Sequence, residues 1–135
     1  MRIVLDTNVL VSGLLSAHGP PAWILDATLA GEFEPVFNMA IRAEYVEVLS
    51  RPEFKFPGEQ IDGVLLALDQ FGTHVAAVAP WPNALPDPDD EIFLAVAAAS
   101  GSTLITGNTR HYPAKSRLGV LVMTPREFVD HYRNM

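Results

Sequence analysis

The chain alternates short unbroken apolar runs with stretches whose apolar residues recur at helical spacing. Ile3-Val4-Leu5 is an apolar, partly β-branched run, the pattern of a strand covered on both faces of a parallel sheet. After Asp6, the positions Val9, Leu10, Leu14 and Leu15 follow helical periodicity until Ser16-Ala17-His18-Gly19-Pro20 breaks it. Pro21 suits the first turn of a second helix that carries Trp23, Ile24, Ala27 and Leu29 and stops at Gly31. Phe33 to Phe37 reads as a short strand, and Asn38 is placed to cap a third helix from Met39 to about Leu49. A loop over Glu53 to Glu59 leads to a fourth helix with Ile61, Val64, Leu65, Leu68 and Phe71 on one face. His74 to Ala79 is a predicted strand, and the proline-rich stretch Pro80 to Pro88 is a stiff connector. A fifth helix then ends at Gly101, Thr103 to Thr106 is a strand, and Val120 to Met123 is the last strand. Thr124-Pro125-Arg126-Glu127 forms a capping box for a closing helix to about Tyr132. Strand and helix alternate throughout, which predicts an α/β fold: three layers, α/β/α, around a central, mainly parallel sheet of four to five strands.

Bulk properties narrow the picture. A chain of 135 residues is the size of a single domain spanning 1–135, with no internal repeat. Apolar residues make up 49% and charged residues 19%, which is globular rather than disordered composition. The apolar runs are interrupted well short of the about 18 residues that a membrane helix needs. Met1-Arg2 leads directly into strand-like sequence, so no signal peptide is expected. The absence of cysteine removes disulfides, thiolate metal sites and cysteine nucleophiles, and fits a cytoplasmic setting. The net charge of −7 opposes simple electrostatic binding of nucleic acid, so such binding must use local basic residues or metal ions.

The polar residues that interrupt this pattern carry the candidate chemistry. Asp6 stands where the first strand stops, the position at which open α/β folds bind ligands; an ordinary helix cap explains it equally well. Glu44 borders the apolar stripe of Ile41, Tyr45, Val48 and Leu49, while Glu47 points further toward solvent. A carboxylate there needs a partner or a metal, and pairing with Arg42 or Arg51 is the plain alternative. Asp87-Pro88-Asp89-Asp90-Glu91 places four acids in five residues at a helix start. Interaction with the helix dipole accounts for one or two of them. Asp90 shares a stripe with Phe93, Leu94 and Ala97 and so faces inward, with Asp87 a weaker candidate from the preceding loop. Asn108, after Gly107, can offer an amide oxygen, although a plain turn also explains Gly-Asn. Arg110, His111, Lys115 and Arg117 form the densest cationic segment and are candidates for contact with a phosphate backbone. Several acids brought together repel unless a cation sits among them, and oxygen ligands suit Mg²⁺ or Mn²⁺, a site fitted to phosphodiester hydrolysis.

Val4-Leu5-Asp6-Thr7-Asn8-Val9-Leu10, Ala43-Glu44 within a helix, Asp87-Pro88-Asp89-Asp90 with Phe93-Leu94-Ala95, and Thr106-Gly107-Asn108 resemble the PIN-domain nucleases. The likeness extends to Thr124-Pro125-Arg126-Glu127-Phe128. It is closest in pattern to the single-domain bacterial proteins classed as toxin components of toxin and antitoxin pairs, the VapC-like endoribonucleases. The resemblance implies a metal-dependent endoribonuclease with an RNA substrate, neutralised by a small antitoxin protein and often a homodimer. It further implies Asp6, Glu44 and Asp90 as metal ligands and Asn108 as a fourth catalytic position, acting through water or on the nucleophile. Thr7, Asn8 and Thr106 would be supporting polar residues, beside Asp87. His111 departs from the pattern, since related sequences often carry another acid there, which implies weaker metal affinity. The acidic charge of the chain suits an antitoxin segment whose arginine lies across the carboxylates.

Other readings remain. A catalytically silent PIN-like module that binds a partner differs from the nuclease only in what its acids do. An aspartyl-nucleophile phosphatase also begins with an apolar strand ending in Asp, but position 8 is Asn where a second acid is expected. That chemistry also needs a well-placed lysine, and Lys55 and Lys115, the only two, fall in predicted loops. A phosphorylated receiver module needs an acidic pair ahead of its acceptor strand, which this chain lacks.

Overall fold

Five short strands carry the sheet, and four of them, all but the edge strand at Thr73–His74, are followed at once by a polar residue. In the computed structural model, which describes residues 1–76 and 78–134, the strands are β1 (Arg2–Leu5), β2 (Glu34–Phe37), β3 (Thr73–His74), β4 (Thr103–Ile105) and β5 (Val122–Met123). The helices are α1 (Thr7–Leu15), α2 (Pro20–Leu29), α3 (Met39–Leu49), α4 (Gly58–Phe71), α5 (Glu91–Ser100) and α6 (Pro125–Arg133). The strand order is β3-β2-β1-β4-β5 and every pairing is parallel. Helices flank the sheet in the three-layer α/β/α arrangement that the alternation predicts, with α5 packed across β1, β2 and β4. Ile3, Val4 and Leu5 are buried, because β1 is central and covered on both faces.

The order of strands decides where the site falls. From β1 the chain moves outward to β2 and β3, then returns past β1 to β4 and β5. The strand order therefore reverses between β1 and β4, the topological switch point outside which α/β sheets bind ligands. Ile3, Val4 and Leu5 pair with Thr103, Leu104 and Ile105, so Asp6 and Thr106 leave their strands at the same level. Asp6 N–H donates to the Ile105 carbonyl at 2.9 Å and Thr106 N–H to that of Met123 at 3.0 Å, which continues the ladder one residue beyond the strands.

Local chemistry explains most element ends. Asn38 Oδ1 accepts from the Ile41 N–H at 2.9 Å and caps α3. Thr124 and Glu127 close the expected capping box on α6. Gly101 ends α5 in the left-handed region at φ 66°, which glycine enters without a Cβ clash. Phe33, Phe128 and Tyr132 pack edge-on against one another or stacked and, with Trp23, hold α6 against α2.

Several expectations shift at the margins. The strand predicted over His74 to Ala79 is confined to Thr73–His74, extended only by a 2.8 Å bond from Val75 N–H to the Phe37 carbonyl, and Ala77 lies outside the described residues. As the outer partner of β2, β3 gains hydrogen bonds along one side only, and the proline-rich connector follows at once. The last strand begins at Val122 rather than Val120, and α4 begins at Gly58 inside the predicted loop. Leu15 is 61% exposed although it fits the α1 periodicity, because the helix ends there.

Candidate functional site

The two central strands hold Asp6 by its own side chain. Its carboxylate is buried, and Oδ2 accepts two hydroxyl hydrogen bonds, from Thr106 Oγ1 at 2.9 Å and from Tyr112 Oη at 2.8 Å. Both hydroxyls address the same oxygen, which leaves Oδ1 without a side-chain donor among the described residues. Burial pushes the Asp6 carboxyl above its usual value, against the opposing pull of these hydroxyls and of the Thr7 and Asn8 amides. No well-formed cap hydrogen bond closes between its side chain and α1, although the Thr7 and Asn8 amides act on it, so capping alone does not account for this residue.

Glu44 reaches the site from α3. The Thr7 hydroxyl donates to Glu44 Oε2, and the buried Tyr45 hydroxyl donates to the Leu5 carbonyl immediately before Asp6. These two bonds tie α3 to the start of α1 and the end of β1. The pairing with Arg42 or Arg51 does not occur: Arg42 pairs with Asp69 at 2.9 Å, and Arg51 with Glu47 at 3.0 Å. Burial raises the Glu44 pKa, and the charges of Asp6 and Asp89 raise it further.

Asp90 completes the acidic group. It lies in a 3-10 turn, Pro88–Asp90, that leads into α5, and its side chain is 13% exposed. Asp87 caps that turn by accepting from the Asp89 N–H at 3.0 Å, which places Asp87 in a structural role beside the site. Asp90 Oδ2 is shielded from solvent and accepts no well-directed hydrogen bond, although His111 Nδ1 stands 3.0 Å away. Burial first, and then the charges of Asp6 and Asp87, push the Asp90 pKa up to about 6, with His111 acting in the opposite direction.

The supporting residues knit β1 and β4 together. Asn8 Oδ1 accepts from Gly107 N–H at 2.9 Å, and Thr106 Oγ1 accepts from Asn108 N–H at 3.1 Å. A Cβ on Gly107 would stand 3.3 Å from Asn8 Oδ1, so Gly107 serves this close approach rather than a left-handed turn. The Asn108 side chain closes no cap on the turn Thr109–His111 that follows it. Of the cationic segment, Arg110 and Lys115 are exposed, whereas Arg117 Nε donates to the Tyr112 carbonyl at 2.7 Å and helps to shape the loop.

Tyr112 is the functional residue that sequence reading missed. It is fully buried, and burial together with the neighbouring Asp6 charge lifts its hydroxyl pKa far above the tyrosine range, which keeps it a donor. The available signal was an aromatic hydroxyl inside a polar loop, since a buried tyrosine normally finds a partner for its OH.

Among the described residues, no three acidic or imidazole side chains form a ready-made cage for one ion. The donor set nevertheless fits a hydrated cation. Mg²⁺ keeps several waters and uses only one or two carboxylates, and the shielded Asp90 Oδ2, with the His111 imidazole beside it, accepts no well-directed hydrogen bond. Lys55 and Lys115 are both exposed, which removes the buried lysine that aspartyl-phosphate chemistry requires. Two concavities, of 450 Å³ beside Leu25 and Val64 and of 320 Å³ beside Trp23 and Arg133, lie away from the acids. No described helix is long and apolar enough to cross a membrane.

Comparison with known proteins places this geometry. An uncharacterized protein of Methanocaldococcus jannaschii, MJ1680, is 27% identical over 143 residues that cover 98% of this chain and 92% of that protein. Among solved structures, VapBC2 from Rickettsia felis, bound to a DNA fragment from their promoter, contains a chain that superposes with a TM-score of 0.59 at 16% identity. That match covers 92% of this chain and 98% of the other. FitAcB from Neisseria gonorrhoeae superposes equally well, at 17% identity and the same coverage. At such identities the likeness is one of fold. The PIN domain family model matches residues 2–110, a span that holds Asp6, Glu44, Asp90 and Asn108. The chain therefore belongs to the PIN domain family.

Proposed function

We propose that this protein is a divalent-metal-dependent endoribonuclease and the toxin of a toxin and antitoxin pair. The observation that carries the reading is the treatment of the acids at the switch point. Asp6 and Glu44 are held by hydroxyls, and the nearby arginines Arg42 and Arg51 are committed to other acids. A structural acid cluster is ordinarily neutralised by arginine or lysine, whereas here the imidazole of His111 beside Asp90 is the cationic partner described, and the raised pKa values of the three acids leave a cation from outside something to stabilise.

Asp6, Glu44 and Asp90 would line the ion's place, one or two of them binding it directly and the rest through water that completes its shell. A bound Mg²⁺ or Mn²⁺ polarises a water for attack and offsets charge on the phosphate. Thr106 and Tyr112 fix the direction of Asp6, and Thr7 fixes that of Glu44, so the oxygens need little reorganisation when the ion binds. Asn108, three residues past β4 and tied by its N–H to Thr106 Oγ1, would orient the attacking water through its amide. Arg110 and Lys115, both exposed, meet the RNA backbone, which the net charge of −7 would otherwise repel. The VapBC2 and FitAcB neighbours support a protein antitoxin as the partner.

Purified protein incubated with a mixed set of structured RNAs tests this reading. Cleavage should appear with Mg²⁺ or Mn²⁺, stop with chelator, and fall at least about a hundredfold in Asp6→Asn prepared identically. Equal activity in Asp6→Asn would assign the cleavage to a contaminant and remove the support for a nuclease.

A further inference from the structure

Two connections deliver side chains to the acidic site. One runs from β3 to α5 and ends in the turn that carries Asp90; the other runs from β4 to β5 and carries Tyr112, whose hydroxyl donates to Asp6. Among the described residues these connections hold only short 3-10 turns as regular structure, so side-chain contacts must fix one against the other. Trp81 makes such a contact. It stands near the start of the proline-rich connector, between Pro80 and Pro82, which restrict its backbone from both sides. Its ring is partly buried against the core, and its indole Nε1, the one polar atom of the side chain, donates to the Ser116 carbonyl at 3.0 Å. Ser116 is buried and closes the turn Ala114–Ser116, its own N–H donating to the Pro113 carbonyl at 2.8 Å. The next residue, Arg117, donates from Nε to the Tyr112 carbonyl at 2.7 Å, and Tyr112 Oη reaches Asp6 Oδ2 at 2.8 Å. A series of short bonds thus leads from the connector through Ser116, Arg117 and Tyr112 to Asp6.

We propose that Trp81 is a positioning residue: by docking the connector on the turn at Ser116, it fixes the loop that holds Tyr112 against Asp6, and so sets how tightly the site binds its cation. The proposal rests on the metal site proposed above. The hydrogen bond of Trp81 goes to a backbone carbonyl and not to an acid, so its action runs through Tyr112. Groups that orient a ligand in this way carry much of a site's metal affinity although they never touch the ion. Arg117 acts in the same series, one link nearer to Asp6.

The test uses Mn²⁺ itself as the probe, with affinity measured by titration of the whole chain. Trp81→Phe keeps an aromatic ring and removes the N–H. Mn²⁺ affinity should fall about tenfold. Amide exchange should quicken over residues 109–117 while α6 stays protected. The loss should also be non-additive: in a Tyr112→Phe background, where the last link is already gone, adding Trp81→Phe should weaken Mn²⁺ binding little further. Arg117→Gln, at a partly exposed side chain, is a second variant on the same route and should behave likewise, with circular dichroism as the check that each variant folds. Mn²⁺ binding that depends on Asp6 but is unmoved by Trp81→Phe would overturn the role of Trp81 and leave the acidic site standing. A loss that simply adds to that of Tyr112→Phe would do the same, because it would show Trp81 acting on the fold at large. Mn²⁺ binding indifferent to Asp6→Asn would overturn both readings.

Discussion

Asp6 illustrates how much one hydroxyl can do for a buried carboxylate. Tyr112 and Thr106 share its Oδ2, and each bond favours the charged form against the desolvation that opposes it. Tyr112→Phe removes one of these while keeping the ring, so its effect separates from packing. Stability should fall by about 1–2 kcal/mol in urea titration, the cost of one charge-assisted bond to a buried acid. The Asp6 pKa should also rise further, moving the midpoint of Mn²⁺ binding to higher pH. An unchanged pH midpoint would reduce Tyr112 to a space-filling role. Asp6, Glu44 and Asp90 were each legible in the sequence because they are acids placed where a buried strand ends, on the edge of an apolar stripe, or on its inner line. Tyr112 was not legible, because its hydroxyl meets Asp6 across a separation of 106 residues that no local period records.

At the scale of elements, α3 serves the site more directly than any other helix. Its first turn is capped by Asn38, and its middle presents Glu44 to Thr7 and Tyr45 to the end of β1. Loosening the cap should therefore loosen Glu44. Asn38→Ala is expected to cost about 1 kcal/mol of stability. Measured amide exchange should quicken in the first turn of α3, while α6, which carries its own capping box, stays protected. Equal loosening of both helices would mean that the cap acts on the whole fold. Helices with strong caps and clear periodicity, α3 and α6, were placed by sequence to within a residue. β3 was overextended, since apolar residues next to a proline-rich connector match the strand pattern whether or not a neighbouring strand supplies hydrogen bonds.

At the scale of the molecule, the acidic site is a source of instability, which the proposed cation would relieve. The Asp90 pKa is raised from an ordinary value near 3.8 to about 6, so between these values the folded state holds a proton that the unfolded state has released. The stability this group contributes is complete below about pH 3.8 and is lost as the pH rises through about 6, and the raised values of Asp6 and Glu44 act in the same direction. Without metal, Asp90→Asn should melt a few degrees higher than the parent at pH 7.5, with the difference vanishing near pH 4; Mn²⁺ should close the gap by raising the parent alone. A difference that does not vary with pH would show that the acid is not under this strain. The sequence by itself determined the alternation of elements, the parallel three-layer class and the residues of the acidic motif, because periodicity, caps and strand-end polarity are local. Only the tertiary structure decided which partners those acids keep. That outcome depends on the return of the chain from β3 past β1 to β4, which sets Asp6 level with Thr106, brings Tyr112 and His111 over the acids, and leaves Arg42 and Arg51 paired elsewhere.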